Sequence, residues 1–223
     1  MRRWSVPVFL LAEGMLYLAF LFLDQFMPQV NTNLLKYAGI ILCVLMSLLL
    51  VRQGGDKLVA WALVLTLGAD TFLLLLDRWY LVGILLFYAV QVLYLFRLLR
   101  VTGRPMLLGR MVLFAALLLL LTKLDAFTSI TAAVSLYMSQ FCFNVFQSLG
   151  LRGRDGKLFS WGLLLYFCCD LCVGIYNGAA LFPETLVRLA GMGMWLFYLP
   201  GQVLITLSGR SHLQGEFDDA QTK

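Results

Sequence analysis

Histidine is nearly absent from this chain of 223 residues, because its only histidine is His212 in the C-terminal tail. With no histidine outside this tail, a Ser-His-Asp triad and a His-rich metal hydrolase are excluded. The sequence also lacks a G-x-S-x-G elbow, an H-E-x-x-H pair, a Walker loop and zinc-ligand spacing. We therefore expect neither a metal nor another cofactor.

Cysteine is also sparse, with five residues in all. Two are isolated within apolar runs, and the other three, Cys168, Cys169 and Cys172, crowd the stretch "FCCDLC". No histidine or further ligand lies near this cluster, so we interpret it as apolar packing rather than as a metal site. The spacing does not support a disulfide framework.

Charged residues make up only 13% of the chain, against 61% hydrophobic residues. A soluble domain of this size cannot bury so much apolar surface. Apolar runs long enough to cross a bilayer recur along the sequence, which predicts an all-α polytopic membrane protein. The eight predicted transmembrane helices cover about 5–26, 34–51, 58–76, 80–99, 107–123, 128–149, 158–178 and 186–207. The net charge of +5 arises at the ends of these spans, so we expect contact with membrane lipid and not with nucleic acid.

The first apolar run follows two arginines, as in a signal peptide, but Glu13 interrupts it and no small-residue cleavage site follows. We interpret it as a retained first span. Thirteen of the 17 Lys and Arg residues fall on one side of the predicted spans, which predicts that both termini are cytoplasmic. The organisation expected is a transmembrane domain over 1–208 and a polar, unstructured cytoplasmic tail over 209–223, in a multi-pass protein of the cell membrane.

An internal repeat relates the third and seventh spans. "KLVAWALVLTLGAD" ends at Asp70 and "KLFSWGLLLYFCCD" ends at Asp170, with Lys, Leu, Trp and Asp in register. Because Lys, Trp and Asp are scarce here, coincidence is a poor explanation. The repeat predicts two parallel four-helix halves, about 1–104 and 105–208.

The two aspartates are expected at the same depth in the membrane. Each lies thirteen residues after its lysine, about 20 Å from the inner edge at 1.5 Å per residue. An aspartate inside a span disfavours insertion by about 2.5–3.5 kcal/mol, so a repeated one needs a reason. Two neighbouring carboxylates in a low dielectric do not both ionise easily, and a pair sharing one proton suits acid–base hydrolysis. The alternative is a structural role, in which each aspartate hydrogen-bonds a neighbouring helix.

Other polar residues lie on the predicted spans at helical spacing and are expected to line a polar interior. Thr66, Asp70 and Asp77 are predicted to share one face of the third span. The remaining candidate lining residues are Glu13, Gln91, Tyr94, Gln140, Asn144, Tyr166, Asn177, Tyr198 and Gln202. Lys36, at the head of the second span, has three possible roles: reaching the interface, binding a phosphate, or pairing with one of the aspartates.

Four stretches, "LGADTFLLL", "LLFYAVQVLYLF", "LLLYFCCDLCVGIYN" and "FYLPGQVLITLS", together with Lys36, resemble the YhhN-type lysoplasmalogenase family of eight-span membrane hydrolases. The resemblance implies hydrolysis of the vinyl ether bond of a lysoplasmalogen, a lysophospholipid substrate, to a fatty aldehyde and a glycerophospho-base. It implies Asp70 and Asp170 as general acid and base, in either order. This chain departs from the family pattern at Tyr37, where a proline is common, and at Gln91, where a histidine is common.

Two other interpretations compete with the hydrolase. Parallel repeats with paired carboxylates also suit a small-solute or proton-coupled transporter, although the third and seventh spans contain no proline and are predicted to run unbroken. The loss of a titratable group at Gln91 also fits a non-catalytic lipid-binding relative. The sequence leaves the oligomeric state and the head-group preference open.

Overall fold

The computed structural model describes residues 5–27 and 29–213, and this part of the chain contains helices and no strand. The all-helical prediction is confirmed. The helices are α1 (Ser5–Phe26), α2 (Asn33–Val51), α3 (Lys57–Asp70), α4 (Tyr80–Thr102), α5 (Leu107–Lys123), α6 (Ser129–Ser148), α7 (Gly153–Asn177) and α8 (Glu184–Ser208). Most of the predicted tail, 214–223, lies outside the described residues.

Seven stretches of the described chain are long and apolar enough to cross a membrane. They are α1, α2, α3 with its continuation to Leu75, α4, α6, α7 and α8. Such lengths fit a hydrocarbon core about 30 Å thick, so the chain has the character of a multi-pass membrane protein. Helix α5, with 17 residues, is the one predicted span that is shorter.

Six helices close a ring through neighbour contacts, in the order α2, α3, α4, α6, α7, α8 and back to α2. Helix α1 packs outside this ring against α2 and α8, and α5 packs outside it against α6. Most consecutive helices pack side by side, α4 and α5 being the exception, and the α4–α6 and α2–α8 contacts close the ring. The inner faces of the ring helices carry most of the buried polar side chains.

Helices α3 and α7 are buried in the same pattern. From 57 to 69 and from 157 to 169, buried, half-buried and exposed positions alternate in an identical order. Trp61 and Trp161 correspond in this pattern and are 62% and 60% exposed on the outer face. Both helices therefore turn one face to lipid and the aspartate-bearing face inward.

The predicted third span is not one continuous α-helix. α3 ends at Asp70 and continues as a π-helical turn over Thr71–Leu75. The helical span nevertheless runs on without a gap from Lys57 to Leu75, and what changes after Asp70 is its hydrogen-bond register. π-turns add one residue to a helical turn and often occur at functional sites.

Helices α7 and α8 cross closely because glycines face each other. A Cβ built on Gly162 would lie 2.9 Å from the carbonyl oxygen of Gly201, and one on Gly201 would lie 3.0 Å from that of Gly162. Backbone atoms cannot move aside as a flexible side chain can. The small residues thus set the distance between α7, which carries Tyr166, and α8, which carries Tyr198.

Candidate active site

Asp70 occupies the inner face of α3 at its last α-helical position and is 6% exposed. Its Oδ2 accepts a hydrogen bond of 2.6 Å from the Tyr198 hydroxyl of α8. The residue after it, Thr71, shares a 2.8 Å hydrogen bond with the hydroxyl of Tyr37. Helices α2, α3 and α8 thereby fix the position of this carboxylate.

Asp170 has a similar partner in the second half of the chain. Its Oδ2 accepts a short hydrogen bond from the Tyr137 hydroxyl of α6. Asp170 is partly exposed, whereas Tyr137 is buried. Each aspartate is thus held by one tyrosine of a neighbouring helix, which is the interhelical bonding that a structural role also requires.

The two carboxylates lie close enough to interact electrostatically. Tyr166, 1% exposed, lies between their tyrosine partners, with its ring 5.7 Å from that of Tyr198. The Tyr166 hydroxyl lies beside the Tyr137 hydroxyl and is within electrostatic reach of Asp170. The arrangement is a pair of carboxylates, each hydrogen-bonded to one tyrosine, with a third tyrosine between those partners.

Further buried polar atoms inside the ring have no partner within the described part of the chain. They are the Thr66 Oγ1, Gln91 Nε2, Tyr94 hydroxyl, Asn144 Oδ1 and both amide atoms of Gln202. Buried polar groups usually have partners, so a concentration of unpaired ones marks a place where a polar ligand or water gains hydrogen bonds. These residues were predicted to line a polar interior.

Lys36 pairs with neither catalytic candidate. Its Nζ lies 2.8 Å from Oδ2 of Asp24, at the end of α1, and 4.1 Å from the centre of the Trp195 ring. The Trp195 ring is in turn 5.9 Å from the ring of Tyr198, the partner of Asp70. Lys36 therefore borders the aspartate site without entering it, and of its three possible roles pairing with Asp70 or Asp170 is excluded.

Gln91 and Asn144 form a pair between α4 and α6. The Asn144 amide donates to both the side-chain and the main-chain oxygen of Gln91, at 2.9 and 2.8 Å. Both residues are fully buried. Gln140, one turn earlier on α6, uses its backbone oxygen to accept from Arg110 of α5 at 2.7 Å.

Two residues predicted to face the interior lie outside it. Asn177 is exposed, and its amide bonds the backbone of its own helix at Val173. Asp77 lies beyond the π-turn in a loop, exposed and with φ of 47°. The extra residue of the π-turn and the end of the helix break the spacing that would align Asp77 with Asp70. The prediction that Asp77 shares a face with Thr66 and Asp70 is therefore wrong.

Glu13 is buried in α1, outside the ring, where its Oε1 accepts from the Cys43 thiol at 3.4 Å. It was predicted to line the interior and instead lies between α1, α2 and α8.

Sequence reasoning missed two residues that contact Lys36, Asp24 and Trp195. Asp24 could have been found, because it is a carboxylate predicted at the same side of the membrane as Lys36. No sequence pattern indicated that Trp195 would contact Lys36.

Among the described residues, no group of three or more His, Cys, Asp or Glu side chains is arranged to hold a metal ion.

Searches of curated proteins and of solved structures gave no match to the chain. The model of the YhhN family matches residues 31–209, which covers α2 to α8 and therefore the whole aspartate site. The chain belongs to the YhhN family.

Proposed function

We propose that this protein is an intramembrane hydrolase that cleaves the vinyl ether bond of lysoplasmalogens, releasing a fatty aldehyde and a glycerophospho-base. The observation that carries the proposal is the pair Asp70 and Asp170, each bonded by a tyrosine and close enough to interact. Membership of the YhhN family supports the same reaction class.

The proposed chemistry needs one neutral and one ionised carboxyl group. The neutral aspartate protonates the alkenyl carbon, which leaves an oxocarbenium ion on the ether side. The ionised partner stabilises that cation and takes a proton from the attacking water. The hemiacetal formed then collapses, its hydroxyl proton passing to the glycerol oxygen, so that one water is consumed per bond broken.

Asp70 and Asp170 can fill these roles in either order. Tyr198 and Tyr137 orient the two carboxyl groups, and Tyr166 lies between them, beside the Tyr137 hydroxyl. Two like charges in an apolar site repel, which favours a single shared negative charge. A sequestered site also limits side reactions of the cation.

The lining residues suit a substrate with one chain and a phosphate head. Lys36 is the cation at the site border, held by Asp24 until a phosphate competes for it. Tyr94, Gln140 and Gln202 supply unpaired polar atoms deeper in the bundle. Gln91 accepts a hydrogen bond from Asn144, and it keeps hydrogen-bonding capacity at a position where the family commonly has a histidine.

The membrane arrangement belongs to the same proposal. Eight spans, with α5 as the shortest, form two parallel four-helix halves, and both termini are cytoplasmic in the cell membrane. The shared burial order of α3 and α7 supports the repeat. In the proposed arrangement both aspartates lie in the outer half of the bilayer, and the head group of the substrate lies toward the outer interface.

A transporter is the second candidate, because the π-turn after Asp70 and Pro200 within α8 interrupt two ring helices. Interrupted helices are common at transport sites. A lipid-binding relative without activity is the third. The three functions differ in one measurable property, the release of aldehyde.

The test uses the purified full-length chain in nanodiscs with a 1-alkenyl lysophospholipid. We expect aldehyde release, and its loss in Asp70→Asn and in Asp170→Asn. Asp77→Asn is the matched control, because Asp77 is exposed and asparagine tolerates its positive φ. Undiminished aldehyde release by Asp70→Asn and Asp170→Asn would contradict the carboxylate mechanism. No aldehyde release by the parent chain would contradict the hydrolase and leave transport or lipid binding as the function.

A further inference from the structure

The antiparallel packing of α3 and α8 determines which residues adjoin Asp70 inside the ring. The N–H of Asp56, just before α3, donates to the carbonyl of Gly209, just after α8, at 2.9 Å. Further along the two helices, Asp70 bonds Tyr198. These two bonds assign a level in the bundle to each residue on the facing sides of α3 and α8.

One helical turn from the Asp70–Tyr198 bond, toward the Asp56 end of α3, each helix carries a polar side chain. The residues are Thr66 of α3 and Gln202 of α8, each four positions from its own helix's member of the bond and therefore on the same face. Both are 0% exposed, and the Thr66 hydroxyl and both amide atoms of Gln202 have no hydrogen-bond partner among the described residues. Unsatisfied polar groups thus lie directly beside a carboxylate that the proposed reaction uses.

Helix α4 continues this polar surface toward the end of the bundle. Tyr94 is fully buried, and its hydroxyl also lacks a partner within the described part of the chain. Three positions later, the Arg97 guanidinium donates to Asp56 at 2.9 Å and to Ser208 at 2.8 Å. Tyr94 is within electrostatic reach of both Arg97 and Tyr166, so it lies between the end of the bundle and the aspartate site.

A cavity of about 290 Å³ opens at the same end of the bundle, and its lining is largely charged and polar. Ser211 and His212 form part of its wall, together with residues 152–156 at the start of α7. The Ser211 carbonyl accepts from Arg97 at 3.5 Å, and the His212 ring lies 4.0 Å from the Asp56 carboxylate. Polar groups therefore follow one another from this cavity to the aspartate site.

We propose that this part of the ring binds a chain of water molecules and that the hydrolytic water reaches Asp70 and Asp170 along it from the cavity. Water fits because the unpaired groups are uncharged and include both donors and acceptors, and the Gln202 amide offers one of each kind. A buried water molecule makes about three hydrogen bonds to such groups. An alkyl chain would leave all of them unsatisfied, which buried polar groups do not tolerate.

The inference rests on the proposed function, whose reaction consumes one water for each bond broken. Lys36, the proposed partner of the phosphate, lies toward the opposite end of α3, since the neighbouring Tyr37 bonds Thr71. Lipid and water therefore reach the two carboxylates from opposite sides.

The first experiment detects the bound water without turnover. X-ray irradiation of the full-length protein in nanodiscs converts bound water to hydroxyl radicals, which add oxygen to a nearby tyrosine that mass spectrometry identifies. We expect modification of Tyr94 despite its complete burial. Gln202→Leu and the nearly isosteric Thr66→Val should each reduce it at least fivefold, because they remove groups that hold the water.

Thr206→Val is the matched control on α8. Thr206 is also 0% exposed, but its hydroxyl bonds the carbonyl of Gln202 within its own helix at 2.8 Å. Its replacement should leave the modification of Tyr94 unchanged. Thermal unfolding in the same nanodiscs checks that all three variants are folded.

The second experiment links the water to the reaction. Methanol competes with water for the oxocarbenium ion: its oxygen bonds the cationic carbon, its proton passes to the ionised carboxylate, and a mixed acetal forms in place of the aldehyde. Gln202→Leu should raise the share of acetal at least threefold, because leucine no longer binds water and its apolar surface suits the methyl group. The KM for the lipid should stay within twofold, and Thr206→Val should keep the product ratio of the parent.

The outcomes separate the two proposals. Unmodified Tyr94, or equal modification in the parent, Gln202→Leu and Thr66→Val, overturns the water chain, including when the protein hydrolyses a lysoplasmalogen. Modification that the two variants reduce, in a chain that releases no aldehyde, retains the water-binding site and overturns the hydrolase. The same modification with an unchanged acetal share overturns the supply of hydrolytic water, and with a raised share it supports both proposals.

Discussion

The hydroxyl of Tyr198 donates a 2.6 Å hydrogen bond to Asp70 from a helix 128 positions later in the chain. Asp170 receives its bond from Tyr137 of α6, the helix that precedes its own. The two carboxylates thus have the same kind of partner, and the partners come from opposite sequence directions. A phenol is a suitable partner because it donates one hydrogen bond and stays neutral.

Replacing Tyr198 by phenylalanine should lower the rate of aldehyde release about ten- to hundredfold. A hydrogen bond to a charged or buried carboxyl group contributes about 1.5–3 kcal/mol, and the ring contacts with Tyr166 and Trp195 remain in the variant. Tyr137→Phe should act in the same direction through Asp170. Tyr176→Phe on α7 is the control, because Tyr176 is 50% exposed. Equal rates for Tyr176→Phe and Tyr198→Phe would contradict the role of the phenol.

Replacing Gly162 by alanine should lower the unfolding temperature and reduce aldehyde release together. The new Cβ would meet backbone atoms of Gly201 and Ile205 at 2.9 Å, so α7 and α8 must separate, at a cost of about 1–3 kcal/mol. Tyr166 and Tyr198 lie one turn from this crossing and move with it. Gly174→Ala on the same helix meets nothing within 4 Å and should leave both properties unchanged. A fully active, fully stable Gly162→Ala would show that the crossing does not position the site.

Replacing Asp56 by asparagine should destabilise the protein by about 3–5 kcal/mol. Asp56 caps α3 through the N–H of Leu58 and pairs with Arg97 at 2.9 Å, and both members of the pair are 1% exposed. Asparagine keeps the cap, so the loss arises from leaving the Arg97 charge buried without its carboxylate. Unfolding in detergent measures the effect, with Asp125→Asn as the exposed comparison. A change in the free energy of unfolding below 1 kcal/mol would mean that the hydrogen bonds from Arg97 to Ser208 are enough to stabilise the buried guanidinium.

Single cysteines in the loops test the proposed topology. Gln53→Cys and Arg104→Cys should react with an impermeant maleimide only from the cytoplasmic side, and Leu124→Cys only from the other side. The five native cysteines lie within helices, and the parent chain measures their background. Reaction of Leu124→Cys from the cytoplasmic side would show that α5 does not cross the membrane.

The positions of the helices were accessible from sequence because the apolar runs are long. The matched burial of α3 and α7 was accessible because Lys, Trp and Asp recur in register. Helical spacing predicted that Asp70, Tyr166 and Tyr198 each point toward the interior of the bundle. Partners across helices were not accessible: that Lys36 pairs with Asp24, or that Arg97 reaches both Asp56 and Ser208, depends on how the helices pack. Glu13 was placed in the interior because its polarity was visible and the position of α1 outside the ring was not.

The π-turn over Thr71–Leu75 changes the phase of the third helix relative to the seventh. A π-turn is an α-helix that has gained one residue, whereas α7 continues as an α-helix through the corresponding positions. The burial order of the two helices is the same from 57 to 69 and from 157 to 169, and it differs from the aspartates onward. A substitution before Asp70 therefore has a counterpart in α7 at the same depth and on the same face, whereas a substitution after Asp70 has no matched position.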